Sequence, residues 1–222
     1  KKLKEDLEKA FDEPSVMEEG VNLDKELSVV IARNESGEIK HFPLVELEFN
    51  PKANMVEFLF SPANVSESVA NRAYELATTL IEKLGMVGLL AVELFLNKDG
   101  DVLINEIAPR AHNSGHQSIE GNYTSQFAQH LRAILNLPLG NTDIKVPSVM
   151  LNLLGEEDAN GIAHYEGFHE ILEEKGVYPH LYGKEQVKPF RKMGHITILD
   201  EDLEQAKAKA RKIKTIVKVT SK

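Results

Sequence analysis

Apolar positions along the chain alternate with polar ones in short runs, interrupted by a few stretches of helical spacing. Leu3, Leu7, Ala10 and Phe11 recur at helical intervals and stop at Pro14, which cannot continue a helix. Residues 15–21 then read as a short strand and a turn. Residues 26–33 and 39–45 predict a hairpin across Asn34-Glu35-Ser36-Gly37, and residues 55–60 a further strand. Asn64 and Glu67 have N-cap and N3 spacing, opening a helix with Val65, Val69, Ala73, Leu76, Leu80 and Leu84 inward and Gly85 just past its end. Residues 89–96 and 102–107 predict a second hairpin around Asn97-Lys98-Asp99-Gly100. A loop over 110–122, a helix over 125–135 and a linker over 138–147 follow. Beyond Ser148, strands are expected at 149–154, 177–181 and 195–199, with helices near 168–175 and 201–217. The last helix carries acids in its first turn and lysines later, as the helix dipole favours.

Composition narrows the class without naming it. The 222 residues are 42% hydrophobic and 27% charged, ordinary for a globular chain that buries a sizeable core. Absence of cysteine excludes disulfides, thiolate chemistry and Cys-based zinc sites. Net charge is −9, from 35 acidic and 26 basic residues, which disfavours nucleic acid and anionic membranes as partners. No apolar run is long enough to span a bilayer. The opening residues 1–7 have no apolar core or cleavage site, so no secretory signal is expected and the cytoplasm is the default compartment.

Two acids stand out because each interrupts an apolar strand: Glu93 in Leu90-Ala91-Val92-Glu93-Leu94-Phe95-Leu96, and Glu106 in Val102-Leu103-Ile104-Asn105-Glu106-Ile107. Side chains alternate faces along a strand, so loop length decides whether they meet. An even-residue loop places both on one face; a three-residue loop would place them on opposite faces. Meeting acids repel, and a divalent cation would compensate, Mg²⁺ in particular favouring one or two carboxylates plus phosphate oxygens. The alternative is that both acids sit on a solvated sheet face. Directly after Glu106, the segment Pro109-Arg110-Ala111-His112-Asn113-Ser114-Gly115-His116 crowds donors into a loop suited to a substrate anion. His112 and His116 have the spacing of a helical metal pair, but Pro109 and Gly115 argue against a helix there.

These residues resemble the signature of the 5-(carboxyamino)imidazole ribonucleotide synthases, the PurK family of ATP-grasp ligases. The likeness rests on Ala91-Val92-Glu93-Leu94-Phe95 and on the segment from Ile104 to His116. It continues through Ser125-Gln126-Phe127-Ala128-Gln129-His130-Leu131-Arg132-Ala133, through Pro147 to Gly155, and through Lys188-Pro189-Phe190-Arg191-Lys192-Met193-Gly194-His195. It implies an α+β chain: an ATP-grasp large lobe over 1–140, an antiparallel sheet with helices, then a small mixed C-terminal domain over 141–222. It further implies ATP and Mg²⁺ as cofactors, bicarbonate and aminoimidazole ribonucleotide as substrates, and a homodimer. Glu93 and Glu106 would hold the metal, with Asn105 beside them. Glu18, Glu19, Gly20 and Val21 match the segment that receives adenine, and Glu26 the acid that contacts ribose. Arg110, His112, Asn113 and Ser114 fall where the family places bicarbonate and ribonucleotide contacts. Lys184, Lys188, Arg191 and Lys192 form the cationic patch expected to hold the ribonucleotide phosphate.

Some positions depart from the family pattern. Ala111 replaces a usual Pro, Phe190 stands where Gly is frequent, and Phe49 lies where a nucleotide-contacting His is common. Ala111 is expected to loosen the loop, and Phe190 to narrow the phosphate pocket. Family members also carry an amino-terminal Rossmann-like domain and a small lobe with a Gly-rich phosphate loop. The 222 residues contain neither, so the expectation is a fragment, split product or truncated form with little turnover alone, complemented by a separate amino-terminal half. Two other functions remain open. Another carboxyphosphate or acylphosphate ligase would share the acid pair but lack the 110–116 loop and the 188–195 segment. A non-catalytic nucleotide-binding module or partner subunit would bind without turnover.

Overall fold

The computed structural model describes residues 18–222. The helix and part of the strand expected before Glu18 lie outside the described residues. Nine strands form one sheet: β1 (Leu23–Arg33), β2 (Ile39–His41), β3 (Val45–Asn50), β4 (Met55–Ser61), β5 (Gly88–Asn97), β6 (Val102–Ala108), β7 (Ser148–Leu154), β9 (Val177–Leu181) and β11 (Lys192–Leu199). Their spatial order is β6-β5-β1-β3-β4-β7-β11-β9, with β2 hydrogen-bonded to one end of β1, and every pairing is antiparallel. Because β4 pairs with β7, Phe58 facing Leu151, the sheet runs unbroken from the first half of the chain into the second. Strands β8 (Gly161–Glu166), β10 (Gln186–Val187) and β12 (Lys218–Ser221) form a separate three-stranded sheet.

Strand β1 shows how the layers are built. Leu27, Val29 and Ile31 pack with Leu90, Val92 and Leu94 of β5 beneath helix α1 (Glu67–Lys83), which contributes Ala73, Ala77 and Ile81. Val30 and Ala32, on the opposite face, pack with Leu89, Ala91 and Ala133 of helix α3 (Gln126–Ile134). Burial on both faces explains the near-continuous apolar runs of β1 and β5. It also defines a second face, shared by Glu26, Ser28, Glu93 and Phe95, since Ser28 lies opposite Glu93 and Glu26 opposite Phe95. Helix α5 (Leu203–Ile216) closes the other half of the sheet, burying Ala206, Ala210 and Ile213 against Phe58, Val149, Leu151, Ile196 and Ile198. Short helices α2 (Ser118–Gly121) and α4 (Phe168–Leu172) complete the set.

Several expectations shift in detail. The first hairpin forms, but β2 stops at His41, because Pro43 has no N–H to extend the ladder; a separate strand β3 then pairs with Glu26–Ser28 of β1. The cap of α1 is Ser66, whose Oγ accepts from Val69 N–H, and not Asn64. Leu84 points outward, while Ala77 and Ile81 are buried. Gly85 does follow the helix in the left-handed conformation, at φ 59°. The three strands of the small sheet were not anticipated.

Candidate functional site

The β5–β6 hairpin turns through Lys98-Asp99-Gly100, with Asn97 N–H donating to the Asp101 carbonyl and Gly100 at φ 90°. This is the three-residue loop that by strand alternation alone would send Glu93 and Glu106 to opposite faces. A β-bulge reverses that outcome. Leu96 pairs with Val102 and Leu94 with Ile104, but Glu93 pairs with Glu106, leaving Asn105 as the extra residue. Both Asn105 and Glu106 therefore face the same cleft as Glu93.

The cleft, about 480 Å³, is lined by Glu26, Glu93, Asn105, Glu106, His112, Asn113, Ser114 and Lys192, with Phe49, Phe95 and Val56 among its apolar walls. Its carboxylates are only partly compensated. Burial, followed by the charges of Glu106 and Glu26, pushes the Glu93 carboxyl up to about 7, only partly opposed by Lys192. Burial raises the Glu26 carboxyl as well. Burial also lowers the Lys192 ammonium, which lies near both acids.

The loop after β6 is pinned from beneath. Ser114 is 2% exposed, and its Oγ lies 2.9 Å from His112 Nδ1 and 2.8 Å from Ser28 Oγ. Ser114 N–H also donates to His112 Nδ1, at 3.4 Å. A backbone N–H can only donate, so Nδ1 carries a lone pair and the imidazole proton sits on Nε2, 3.6 Å from Glu93 Oε1. Burial, with Arg110 and Lys192 nearby, lowers His112 to about 4, so the ring is neutral at pH 7. Glu93, Glu106 and His112 each bring one potential ligand atom within 4.8 Å of the others. The tautomer nevertheless makes His112 a hydrogen-bond donor there. What remains for a cation is oxygen: two carboxylates and the Asn105 amide. Such a hard donor set fits Mg²⁺.

Asn113 and Asn152 of β7 exchange amide hydrogen bonds of 2.8 and 2.9 Å, and Lys192 Nζ reaches Asn113 Oδ1 at 3.4 Å. The second half of the chain thus supplies one wall. Of the other expected residues, Lys184 Nζ donates to the Lys192 carbonyl and lies 5.6 Å from the Tyr182 ring, so these two lysines sit together. Arg191 is turned to the Gln186 carbonyl, and Lys188 is exposed on the same turn. Arg110 is exposed at the loop's entry and donates to the Ala111 carbonyl. Glu18, Glu19 and Gly20 are exposed and Val21 half-buried, all outside the cleft lining; Lys98 N–H donates to the Asn22 carbonyl, tying this segment to the β5–β6 turn. Phe49 lines the cleft. Phe190 lies outside it, in the left-handed conformation at φ 57°. That conformation is one glycine adopts without strain. Ala111 packs against the α3-side core.

Ser28 and Asn152 escaped attention, although each is a polar residue inside a buried apolar strand, the same signal that exposed Glu93. Gln126 escaped for another reason. It is fully buried at the start of a helix, where sequence carries no such mark.

An ATP-grasp domain profile matches residues 1–127, and a phosphoribosylaminoimidazole carboxylase C-terminal domain profile matches residues 148–209. The chain belongs to the ATP-grasp family. Within that family it falls in the PurK group, whose matching members are N5-carboxyaminoimidazole ribonucleotide synthases. The Bacillus subtilis synthase is 44% identical over 187 residues, covering 84% of this chain and 47% of the relative. The solved Thermotoga maritima synthetase superposes with a TM-score of 0.88 at 47% identity, covering 98% of this chain and 58% of that one. An Aspergillus clavatus synthase in complex with ADP and 5-aminoimidazole ribonucleotide gives 0.85 at 33% identity, covering 96% and 57%. The chain spans about half the length of the curated relatives it matches.

Proposed function

We propose that this chain is the metal- and substrate-holding half of an ATP-dependent carbon–nitrogen ligase of purine biosynthesis. It would carboxylate 5-aminoimidazole ribonucleotide with bicarbonate, giving N-carboxyaminoimidazole ribonucleotide. The observation that carries the reading is the bulged hairpin that sets Asn105 and Glu106 beside Glu93, facing the Lys192 wall. A bicarbonate oxygen attacks the γ-phosphorus of ATP, ADP leaves, and the carboxyphosphate so formed passes its carboxyl to the exocyclic amine, which gives up one proton as phosphate is released. Bound Mg²⁺ would neutralise phosphate oxygens during this transfer, where positioning and electrostatics supply most of the catalysis.

The chain's own residues divide the remaining work. Glu93 and Glu106, with Asn105, hold the cation. The Nε2–H of His112, the Asn113 amide and the Arg110 guanidinium orient bicarbonate. Lys192 and Lys184, with Arg191 and Lys188 on the turn beside them, attract the ribonucleotide phosphate. Ser114 acts from below by fixing the His112 ring, a supporting role in place of direct substrate contact. Glu26 meets the ribose and the backbone of Glu18–Val21 the adenine. The division of roles between residues 1–140 and 141–222, a homodimeric assembly, a cytoplasmic setting and completion by an amino-terminal half belong to the same proposal. No helix among the described residues is long and apolar enough to cross a membrane.

The test mixes the chain with a separately expressed amino-terminal half of a relative and measures ADP release. Release that requires both aminoimidazole ribonucleotide and bicarbonate supports the reading. Release with another acceptor points to a different ATP-grasp ligase, and nucleotide binding without any release to a non-catalytic module.

A further inference from the structure

Beneath the substrate loop lies a single side chain that addresses both of its histidines. Gln126, fully buried at the first turn of α3, accepts from the His112 backbone N–H through Oε1 at 2.9 Å. Its Nε2 donates to the His112 carbonyl at 2.7 Å and lies 2.8 Å from His116 Nδ1. The His112 N–H fixes which end of the amide is oxygen, because the flipped amide would set two donors against each other. One Nε2 hydrogen then goes to the His112 carbonyl and the other to His116 Nδ1, which must supply the lone pair. Its proton is therefore on Nε2. The fit leaves no slack: a Cβ on Gly115 would stand 2.5 Å from Gln126 Oε1. The His116 ring is also held by stacking, 4.8 Å from His195 and 5.8 Å from Phe127.

We propose that Gln126 is a positioning residue: it locks the backbone at His112 and sets the tautomer of His116, so that the His116 ring keeps its proton on Nε2 and cannot act as a base. The tautomer stands on geometry alone, while its catalytic consequence rests on the ligase reading above.

Two readouts keep these parts separate. In the 222-residue chain, side-chain ¹⁵N spectra should show His116 protonated at Nε2. Gln126→Glu keeps the acceptor for the His112 N–H but removes both donors, so the His116 proton should move to Nδ1. Gly115→Ala, which displaces the amide without changing it, should release His116 into a mixture of tautomers and serves if the first variant folds poorly. In the complemented ligase, Gln126→Met should lower kcat about a hundredfold, the scale of an ångström-sized misplacement, with KM for ATP unchanged. An Nδ1–H tautomer in the parent chain, or one that does not respond to either variant, overturns the proposal. Equal losses in kcat and in ATP affinity would show a merely structural role and overturn it too. A parent lacking ligase activity would refute the ligase reading while leaving the spectra to decide the tautomer.

Discussion

The same sheet handles carboxylates in two opposite ways. On β3 and β4, each acid has its own cation: Glu46 meets Lys25 at 2.8 Å, Glu57 meets Lys214 at 3.1 Å, and Glu48 forms a two-pronged pair with Arg211, itself 4.1 Å above the Phe58 ring. A few strands away, Glu93 and Glu106 face one another, with Glu26 close enough to raise Glu93 further. Paired acids settle the fold, though exposed pairs contribute only about 0–1 kcal/mol. Facing acids cost stability, a cost that the proposed bound cation would offset. On that reading the molecule separates its structural charges from its working charges within one continuous sheet.

Three substitutions and one deletion sharpen or break this contrast. Glu106→Gln should weaken Mg²⁺-dependent ADP binding about a hundredfold, measured by calorimetry, while leaving thermal stability in EDTA unchanged or raised. Deleting Asn105 restores a regular ladder and keeps Glu106 opposite Glu93, but removes the amide oxygen, so the loss should be nearer tenfold. A deletion as damaging as Glu106→Gln would show that the bulge does more than add a donor. Phe190→Gly should stabilise the chain by about 1 kcal/mol in urea titrations, since it relieves the left-handed backbone. Glu48→Gln should cost about 0.5 kcal/mol without altering metal affinity, because its partner is structural. Should Glu48→Gln reduce metal affinity as Glu106→Gln does, the contrast disappears.

Acid pH offers a further check. Glu93 titrates near 7 in the fold and near 4.5 when unfolded, so the folded state holds the proton more tightly. Its favourable contribution is complete below about 4.5 and is lost as pH rises through 7. Mg²⁺ should reverse that loss by favouring the ionised form. The rise in melting temperature on adding Mg²⁺ should therefore be larger at pH 8 than at pH 6. An equal rise at both would place the cation away from Glu93.

Much of this was legible in the sequence where burial on both faces makes a polar residue conspicuous. Glu93 announced itself that way, and Ser28 and Asn152 would have by the same rule. Glu106 stood out only as an acid in an apolar run, since β6 is an edge strand with Leu103, Ile104 and Ile107 exposed. The bulge was not legible: nothing in Ile104-Asn105-Glu106 distinguishes a regular ladder from an extra residue, and strand alternation with the observed three-residue turn argues for the wrong face. Nor was Gln126, because a helix N-terminus tolerates glutamine anywhere. The strands of the small sheet, 161–166, 186–187 and 218–221, are short and half-exposed, so their pattern is set by partners distant in sequence. Family resemblance marked Phe190 as a departure, but the left-handed backbone there was not foreseen.

Crystallography of the chain soaked with Mn²⁺ and ADP tests the central claim most directly, because anomalous scattering locates the ion without reference to turnover. The ion should lie between the Glu93 and Glu106 carboxylates, with oxygen ligands only. An ion bound to His112 Nε2, or one that leaves the two carboxylates without it, would contradict the account.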